Sequence, residues 1–243
     1  MRYVLILILA AFVACETRPV NPQYSSREIL ELSRQYHDPN GNWAQTEFAA
    51  HIQEPRVMNL LRYSRLEMDN MTGTFKLVRD SDAGVVERII DEDGNAAVLL
   101  NGSSEITEEE REEYRLDEQR NFGYQSFYKL MYGLPMSLTD EVVESIGDLR
   151  ASSYKGEEVY SIHIELKEAM ISKQWELMIN RDNHSLVALR FDHSDDPDWP
   201  DEVITFDGAY SWDEITIPRF RHWYTMESGE KLGSDVMVHR CSY

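Results

Sequence analysis

Apolar and polar side chains alternate along most of the second half of the chain. Every second residue is apolar in the stretch 160–166, and the same alternation recurs at 175–179 and 187–191. A period of two residues is typical of a β-strand that buries one face. Alternation in successive strands predicts an antiparallel meander. Further strand-like stretches lie at 202–207, 213–217, 220–226 and 234–239.

Two segments follow the helical period of about 3.6 residues instead. Ser25 and Glu28 form a capping-box pair at the start of the first, and the turn residues 37–42 end it. The second begins at Thr107, with Glu110 as its capping partner. Its second half carries an apolar stripe at positions i, i+3, i+4 and i+7, formed by Tyr124, Phe127, Tyr128 and Met131. We therefore expect about two helices.

These elements predict a single α+β domain over residues 25–243. The stretch between the two helices is strand-like up to about residue 100 and includes a hairpin signal at 91–95. No repeat or linker divides the domain. A long antiparallel sheet cannot stay flat with both faces bare, and the aromatic stripe of the second helix is suited to cover one face. The prediction is a curled sheet with the helices packed on one side.

The first fifteen residues match the signal of a bacterial lipoprotein precursor. Arg2 precedes an apolar run at 3–14, which is shorter than the roughly 20 residues that a bilayer span requires. The run ends in Phe-Val-Ala-Cys, a lipobox-like sequence whose Cys15 is the expected site of lipid attachment. Residues 1–14 are then the signal peptide, and the proline-containing residues 15–24 form an extended tether. Ordinary secretion with cleavage at about the same place is the alternative.

The charge of the chain narrows the classes of partner. The chain has 44 acidic and 24 basic residues and a formal net charge of −20. A field of this sign repels phosphate backbones, which argues against nucleic acid as a partner. Hydrophobic residues make up 42% of the chain and aromatic residues 11%, which excludes a disordered acidic tail. A solvated acidic surface explains the composition, and a cationic partner or divalent ions are the alternatives.

No sequence motif supports a metal, a cofactor or a reaction. The seven histidines lack zinc-like spacing, and the acidic runs at 91–95 and 192–198 lack the ordered ligands of a calcium loop. The sequence contains no nucleophile elbow, phosphate-binding loop or dinucleotide fingerprint. His37 and Asp38 are the candidate polar site, although a histidine at a helix end more often binds the last helical carbonyls. We therefore predict that the protein is not an enzyme.

Apolar residues at the junction after the second helix indicate a cavity. The segment 132–136, Tyr-Gly-Leu-Pro-Met, joins the aromatic helix to the second half of the sheet. Exposed apolar side chains at such a junction can line a ligand cavity, and methionine adapts to ligands of varied shape. Ordinary core packing of these residues is the alternative. The expected lining consists of Trp43, Phe127, Tyr128, Leu134 and Met136.

Four short motifs resemble a family of uncharacterised lipoproteins of Gram-negative bacteria, a domain of unknown function. In the family's order, they are His37-Asp38-Pro39-x-Gly41-x-Trp43, Tyr132-Gly133-Leu134-Pro135-Met136-x-Leu138-x-Asp140, Pro218 with Trp223-Tyr224, and Gly233-x-Asp235. They extend over nearly the whole mature chain. The chain departs from the family at 141–143, where Glu-Val-Val replaces a Gly-Thr turn, and it lacks a Gly-Lys-Asp turn before Trp175. Both differences affect hairpins and leave the shared motifs intact.

The resemblance implies an architecture similar to that of lipoprotein carriers and lipoprotein-sorting proteins. Those proteins have a strongly curved antiparallel sheet, a half-barrel, with helices on its concave side. The resemblance also implies a lipoprotein of the bacterial cell envelope. Its lipid on Cys15 would anchor it to a membrane, with the outer membrane favoured, and its domain would lie in the periplasm. The family supplies no reaction and no cofactor, so function follows only by analogy of fold.

Three functions are compatible with these observations, and we favour the first. It is the binding or carriage of a hydrophobic ligand, an acyl chain or a lipid, in the half-barrel cavity. The second is a structural or interaction lipoprotein of an envelope complex, which contacts an unknown protein partner through strand edges or an apolar patch and takes no ligand. The third is an envelope hydrolase that uses His37 and Asp38 together with further carboxylates.

Overall fold

The computed structural model describes residues 24–57, 61–81, 83–193 and 200–239 of the chain. The expected signal peptide, Cys15 and nearly all of the expected tether lie outside these residues. No helix in the described ranges is both long enough and apolar enough to cross a membrane.

One continuous antiparallel sheet of twelve strands accounts for most of the described chain. The strands are β1 (Glu47–Glu54), β2 (Arg62–Asp69), β3 (Phe75–Ser81), β4 (Gly84–Ile90), β5 (Ala96–Leu100), β6 (Val143–Tyr154), β7 (Glu157–Met170), β8 (Ser172–Asn180), β9 (Leu186–Asp192), β10 (Glu202–Trp212), β11 (Ile215–Thr225) and β12 (Lys231–His239). Their spatial order is β5-β4-β3-β2-β1-β12-β11-β10-β9-β8-β7-β6. The sheet is curved and not closed, which confirms the predicted half-barrel.

Two meanders meet in the middle of this sheet. Strands β1 to β5 and β6 to β12 each run as consecutive hairpins, and pairing of β1 with β12 joins the two halves. At the junction Ile52 pairs with Met237, and both side chains are buried. All other neighbours in the sheet are also neighbours along the chain. The β1–β12 pairing is therefore the long-range contact that makes one domain of two local structures.

The alternation in the sequence corresponds to the two faces of the sheet. Ile162 and Ile164 of β7 are buried, and they pair with Leu177 and Trp175 of β8, which are buried as well. His163, which lies between the two isoleucines, is exposed. Since successive side chains of a strand point to opposite faces, the apolar parity forms the inner, concave surface. The predicted meander is confirmed in this region.

The predicted extent of the second helix is wrong. The chain instead forms α2 (Glu108–Glu113) and α3 (Arg120–Tyr132), in addition to α1 (Ser26–His37). Arg115 takes a left-handed conformation with φ of 54°, and Leu116 then turns inward against β4 and β5. No residue of α2 is buried, so burying Leu116 stabilises the chain more than continuing that helix would. The described residues thus contain three α-helices rather than about two.

The stretches at 213–217 and 220–226 also differ from the prediction, because they form the single strand β11. A tight turn at Asp213 and Glu214, both with positive φ, reverses the chain after β10. Pro218 lies within β11, opposite Ala209 of β10. Proline lacks the N–H that a ladder uses, which is why the sequence pattern breaks there while the strand continues.

The helices α1 and α3 cover the concave face. α1 contacts β6 and β11, and α3 contacts β4 and β5. Ile29 and Leu30 of α1 join Tyr128 and Met131 of α3 in one hydrophobic core with the inward side chains of the sheet. The predicted capping box at the start of α1 is present, and the Ser25 hydroxyl accepts a hydrogen bond from the backbone N–H of Glu28. The two helices therefore form a partial cover, and the space between them is available to a ligand.

Candidate functional site

A cleft opens between α1 and α3 on the helical side of the half-barrel. Its volume is about 1210 Å³, which exceeds the roughly 300–1000 Å³ of most small-molecule sites. α1, α3, a 3₁₀ helix at Trp43–Gln45, the loop that follows α3 and the end of β7 enclose it. The apolar side chains in its lining include Trp43, Phe122, Leu130, Met136, Val142 and Leu166.

Trp43 is held in this lining from both sides. The Asp38 carboxylate accepts the backbone N–H of Asn42 at 2.9 Å and that of Trp43 at 2.8 Å. The Asn70 amide donates to the Trp43 carbonyl at 2.8 Å. The indole packs against Gly133, where a Cβ atom would lie 2.5 Å from Trp43 Nε1. Only glycine at this position leaves room for the indole.

The loop that follows α3 is anchored to both helices. Ser137 Oγ donates to the Leu130 carbonyl of α3 at 2.7 Å. Arg34 of α1 donates to a backbone carbonyl of the same loop. These bonds place Met136 at the cleft and Leu134 in the hydrophobic core. The loop therefore fixes the distance between α1 and α3.

Charged side chains of both signs surround the apolar lining. Arg34 and Glu31 of α1 pair with each other at 3.3 Å. Because the rim carries no excess of cations, it offers no strong field to a highly charged anion. A neutral or zwitterionic polar end would fit this rim best. The other charged residues there include Lys129, Glu141, Lys167 and Glu168.

His37 closes the end of α1 and is buried, with 3% of its surface exposed. Its Nδ1 lies 2.6 Å from the Thr216 carbonyl of β11, and its Nε2 accepts the backbone N–H of Leu186 at 3.0 Å. A carbonyl can only accept and an N–H can only donate, so the ring is neutral with its proton on Nδ1. Burial and the repulsion of Arg221 lower the pKa of His37 below its ordinary value of 6.5, although the bond to Thr216 opposes them.

This arrangement predicts that acid destabilises the protein through His37. The folded-state pKa lies below the unfolded-state value of about 6.5, so the unfolded chain binds more protons in the window below pH 6.5. The free energy of unfolding therefore falls there, by about 1.4 kcal/mol per unit of pKa difference. Urea denaturation at several pH values, compared between wild type and H37Q, isolates this contribution from the carboxylates. The variant H163Q, which changes an exposed histidine, should retain the wild-type pH dependence of the free energy of unfolding.

The predicted polar site of His37 and Asp38 makes its hydrogen bonds to backbone groups. Both ring nitrogens of His37 and both carboxylate oxygens of Asp38 have main-chain partners. No group of three metal-binding side chains occurs in the part of the chain that the structure describes. The two residues position the end of α1 and the backbone at Trp43. Their arrangement gives no support to hydrolysis.

The five residues predicted to line the cavity separate into two groups. Trp43 and Met136 line the cleft. All four of Trp43, Met136, Tyr128 and Leu134 are buried in the same hydrophobic core, with exposed fractions of 5%, 8%, 3% and 1%, and only the first two also border the cleft. Phe127 is half-buried, and its ring packs edge-on against Tyr128 with centroids 5.4 Å apart. Contact of any of the five with a ligand stays a prediction.

Sequence reasoning did not single out Leu130, Val142 and Leu166. Leu130 lies off the predicted apolar stripe of α3, yet it is buried in the core and borders the cleft, and the helical period gave no signal for it. Val142 follows the loop after α3, and Leu166 is the last apolar residue in the alternation of β7. Nothing in the local pattern relates these two to α1. The cleft forms from segments that meet only in the folded chain.

A group of charged side chains is buried on the concave face and was also missed. Glu54 ends β1, and its side chain is 5% exposed. Its carboxylate lies 3.1 Å from Arg79, 3.4 Å from Arg62 and 3.7 Å from Arg56, and it accepts the hydroxyl of Ser64. Three guanidinium groups thus neutralise one buried carboxylate at this end of the sheet. We call these five residues the Glu54 cluster.

Two tyrosines of α3 contact arginines of the concave face. Tyr128 accepts a hydrogen bond from Arg79. The guanidinium of Arg221 lies 3.9 Å from the ring centre of Tyr132, and its Nη1 donates to the Pro218 carbonyl at 3.0 Å. Burial lowers the pKa of Arg221 and raises the pKa of Tyr132. The inner face of α3 is therefore bonded to the sheet, and its other face lines the cleft.

Comparison with solved structures identifies the architecture. A LolA superfamily protein from Nitrosomonas europaea superposes with a TM-score of 0.54 and 10% sequence identity, over 90% of this chain and 94% of the other. The fold is LolA-like. A putative outer membrane lipoprotein-sorting protein domain from Vibrio parahaemolyticus has a TM-score of 0.49 and 9% identity, over 88% of this chain and 92% of that one. No family model and no curated protein matches the sequence.

The LolA-like architecture agrees with the half-barrel implied by the shared motifs. The motif residues His37 and Trp43 occur at the end of α1 and in the 3₁₀ helix, and Gly133 and Met136 occur in the loop after α3. In this LolA-like chain these two motifs meet at the cleft, since Trp43 packs on Gly133 and both Trp43 and Met136 line it. The structural likeness establishes the fold, and the cleft is a feature of this chain itself.

Proposed function

We propose that this protein is a cell-envelope lipoprotein that binds a hydrophobic ligand of the acyl-chain class between α1 and α3. Cys15 carries the lipid anchor, and the half-barrel domain faces the periplasm, at the outer membrane. No catalytic step is part of this function. The cleft is the single observation that carries the proposal.

The lining of the cleft suits an acyl chain. Phe122 presents exposed apolar surface, the buried residues Trp43, Leu130 and Met136 border the cleft beside it, and the charged residues lie around them. Burial of each methylene group stabilises a complex by about 0.8 kcal/mol. A micromolar complex corresponds to about 8.2 kcal/mol, and association costs at least about 4 kcal/mol, so a chain of about fifteen buried methylenes reaches it. The cleft volume is ample for a chain of that length.

A variant that fills the cleft tests this proposal. Ala169 lies on β7, lines the cleft and is exposed, so A169T or the larger A169W is expected to leave the core intact. We expect A169W to weaken binding of the nonionic amphiphile dodecyl maltoside about tenfold, because losing two buried methylenes costs about 1.6 kcal/mol. The affinity is measured by titration calorimetry below the critical micelle concentration. The protein used is the chain from residue 15 with the substitution C15S.

The matched control introduces the same tryptophan elsewhere. Ala97 is an exposed residue of the edge strand β5 and does not line the cleft. A97W should bind the amphiphile as the wild type does. Equal binding by wild type and A169W would place the ligand outside the cleft. Native mass spectrometry of the protein purified without detergent, followed by solvent extraction, would identify the natural ligand class.

A second candidate function is supported by apolar residues on the surface. Val57, Leu61 and Tyr63, at the connection between β1 and β2, are 56%, 46% and 48% exposed. A contiguous apolar patch is typical of protein–protein contact sites, and this candidate function takes the three side chains to form one. An interaction lipoprotein without a ligand would show a clean apo mass that does not change after incubation with envelope lipids. That result would favour this candidate over the carrier.

A further inference from the structure

We propose that His37 is a proton-sensitive anchor of α1 that loosens the ligand cleft when it is protonated. This inference rests on the proposed function, because it concerns the regulation of the same cleft. It is carried by the two main-chain bonds of the buried ring and by the short connection from His37 to the cleft lining.

Protonation is incompatible with one of these two bonds. In the neutral ring, Nδ1–H donates to the Thr216 carbonyl, and Nε2 accepts the N–H of Leu186. A proton on Nε2 would turn that atom into a donor that faces another donor. The imidazolium can keep the bond to Thr216 but must give up the bond to Leu186. The link between the end of α1 and the start of β9 is then broken.

The end of α1 depends on this link. The buried residues of α1 are Ile29, Leu30, Ser33 and His37, so His37 is the buried residue of the last turn, where Arg34 also donates to the Leu138 carbonyl. The turns before it are held by the apolar residues Ile29 and Leu30 in the core. Loss of the bond to Leu186 would therefore release the last turn from β9, while the bond to Thr216 still holds it to β11 and the rest of α1 stays packed on the sheet. Such a local opening needs less free energy than global unfolding.

The released turn is directly connected to the cleft. Asp38 follows His37 in sequence and accepts the backbone N–H groups of Asn42 and Trp43. Asp38 and Trp43 both line the cleft. A displacement at His37 therefore reaches the indole of Trp43 through one peptide bond and one carboxylate. The expected consequence is a poorly ordered lining and weaker binding.

The charged and titratable groups around His37 allow this opening. Tyr36 contacts the ring edge-on from α1, at a centroid distance of 5.0 Å, and Arg221 of β11 repels a positive charge on it. Glu157 of β7 and Asp207 of β10 line a recess of about 190 Å³ that also reaches His37. Once the ring is charged, the repulsion by Arg221 favours its displacement from the position that it holds between Thr216 and Leu186. Burial, which lowers the pKa of the ring, keeps the anchor closed near neutral pH.

An NMR titration of the chain from residue 15 with the change C15S tests the anchor without a ligand. The ring resonances of His37 and the indole N–H resonance of Trp43 are followed from about pH 7.5 to about pH 5. In the wild type, we expect the chemical shift of Trp43 to change with pH at the same midpoint as that of His37. In H37Q, this change should be absent. A Trp43 chemical shift that stays constant while His37 titrates would overturn the inference. This outcome can be observed in the wild type alone.

Binding of dodecyl maltoside over the same pH range gives the second arm, because this probe does not titrate. We expect the affinity of the wild type to fall about tenfold between pH 7.5 and pH 5, because protonation of His37 favours the open state of the cleft. The fall should be absent in H37Q and preserved in H163Q, which changes an exposed histidine of β7. An unchanged pH dependence in H37Q would refute the anchor. No binding of wild type at pH 7.5 would instead refute the proposed function, while the resonances of His37 and Trp43 still decide the anchor.

Discussion

Replacing Glu54 by glutamine is expected to lower the free energy of unfolding by about 3–5 kcal/mol. The carboxylate is nearly inaccessible and is the shared counter-ion of Arg56, Arg62 and Arg79. Without its charge, the largely buried guanidinium of Arg79 would lose its carboxylate partner, whereas Arg56 keeps Asp235 at 2.6 Å and Arg62 is 37% exposed to water. Urea denaturation followed by circular dichroism measures the change.

An exposed ion pair supplies the control for this variant. Glu158 pairs with Arg181 at 2.6 Å, but its side chain is 68% exposed. E158Q should therefore change the free energy of unfolding by less than about 1 kcal/mol. A loss in E54Q as small as that in E158Q would show that water enters the Glu54 cluster and screens its charges. In that case the stability of E54Q would not report on the packing of α3, whose Tyr128 accepts a hydrogen bond from Arg79.

Replacing Gly133 by alanine is expected to have the second-largest effect, both on stability and on the cleft. A Cβ atom at this position would lie 2.5 Å from Trp43 Nε1 and 2.6 Å from the Lys129 carbonyl. Since the carbonyl belongs to the backbone of α3, the indole must move. Overpacking of this kind costs about 1–3 kcal/mol. We expect this loss in thermal or urea denaturation, together with weaker binding of dodecyl maltoside because Trp43 leaves its place in the lining.

Gly123 is the matched control, since it is also a glycine of the α3 region that lines the cleft. A Cβ atom there would meet nothing within 4 Å. G123A should stabilise the protein by about 0.5–1 kcal/mol, because alanine lowers the entropy of the unfolded chain within a helix. The prediction for Gly133 fails if G133A is as stable as G123A, since the contact with Trp43 would then be adjustable at no cost.

The helix caps and most strands could be read from the sequence because their signals are local. The alternation at 160–166 and the capping box of Ser25 and Glu28 each occupy a few consecutive residues, and both occur as predicted. The division between α2 and α3 could not be read in this way. It depends on the burial of Leu116 against strands that end sixteen or more residues earlier, and no helical period records that contact.

The candidate site was predicted in part for a similar reason. Trp43 and Met136 belong to motifs that carry the family resemblance, and both line the cleft. Tyr128 fits the apolar stripe of α3 equally well, but that stripe faces the core and the tyrosine is buried there. An apolar stripe indicates that a helix face is covered and does not distinguish a sheet from a ligand as its cover. Leu130, off the stripe, is buried in the same core and also borders the cleft.

The sequence by itself determined the α+β class, most of the antiparallel strands and the first helix, because patterns of period two and 3.6 arise from neighbouring residues. The tertiary structure alone decided the pairing of β1 with β12, the cleft between α1 and α3 and the Glu54 cluster. Each brings together residues that are distant in the chain. Arg79 and Glu54, for example, are 25 positions apart and meet only because three strands lie side by side. The free energy of this ion pair depends on the distance between the two groups and on their burial in the folded state, which no local pattern encodes.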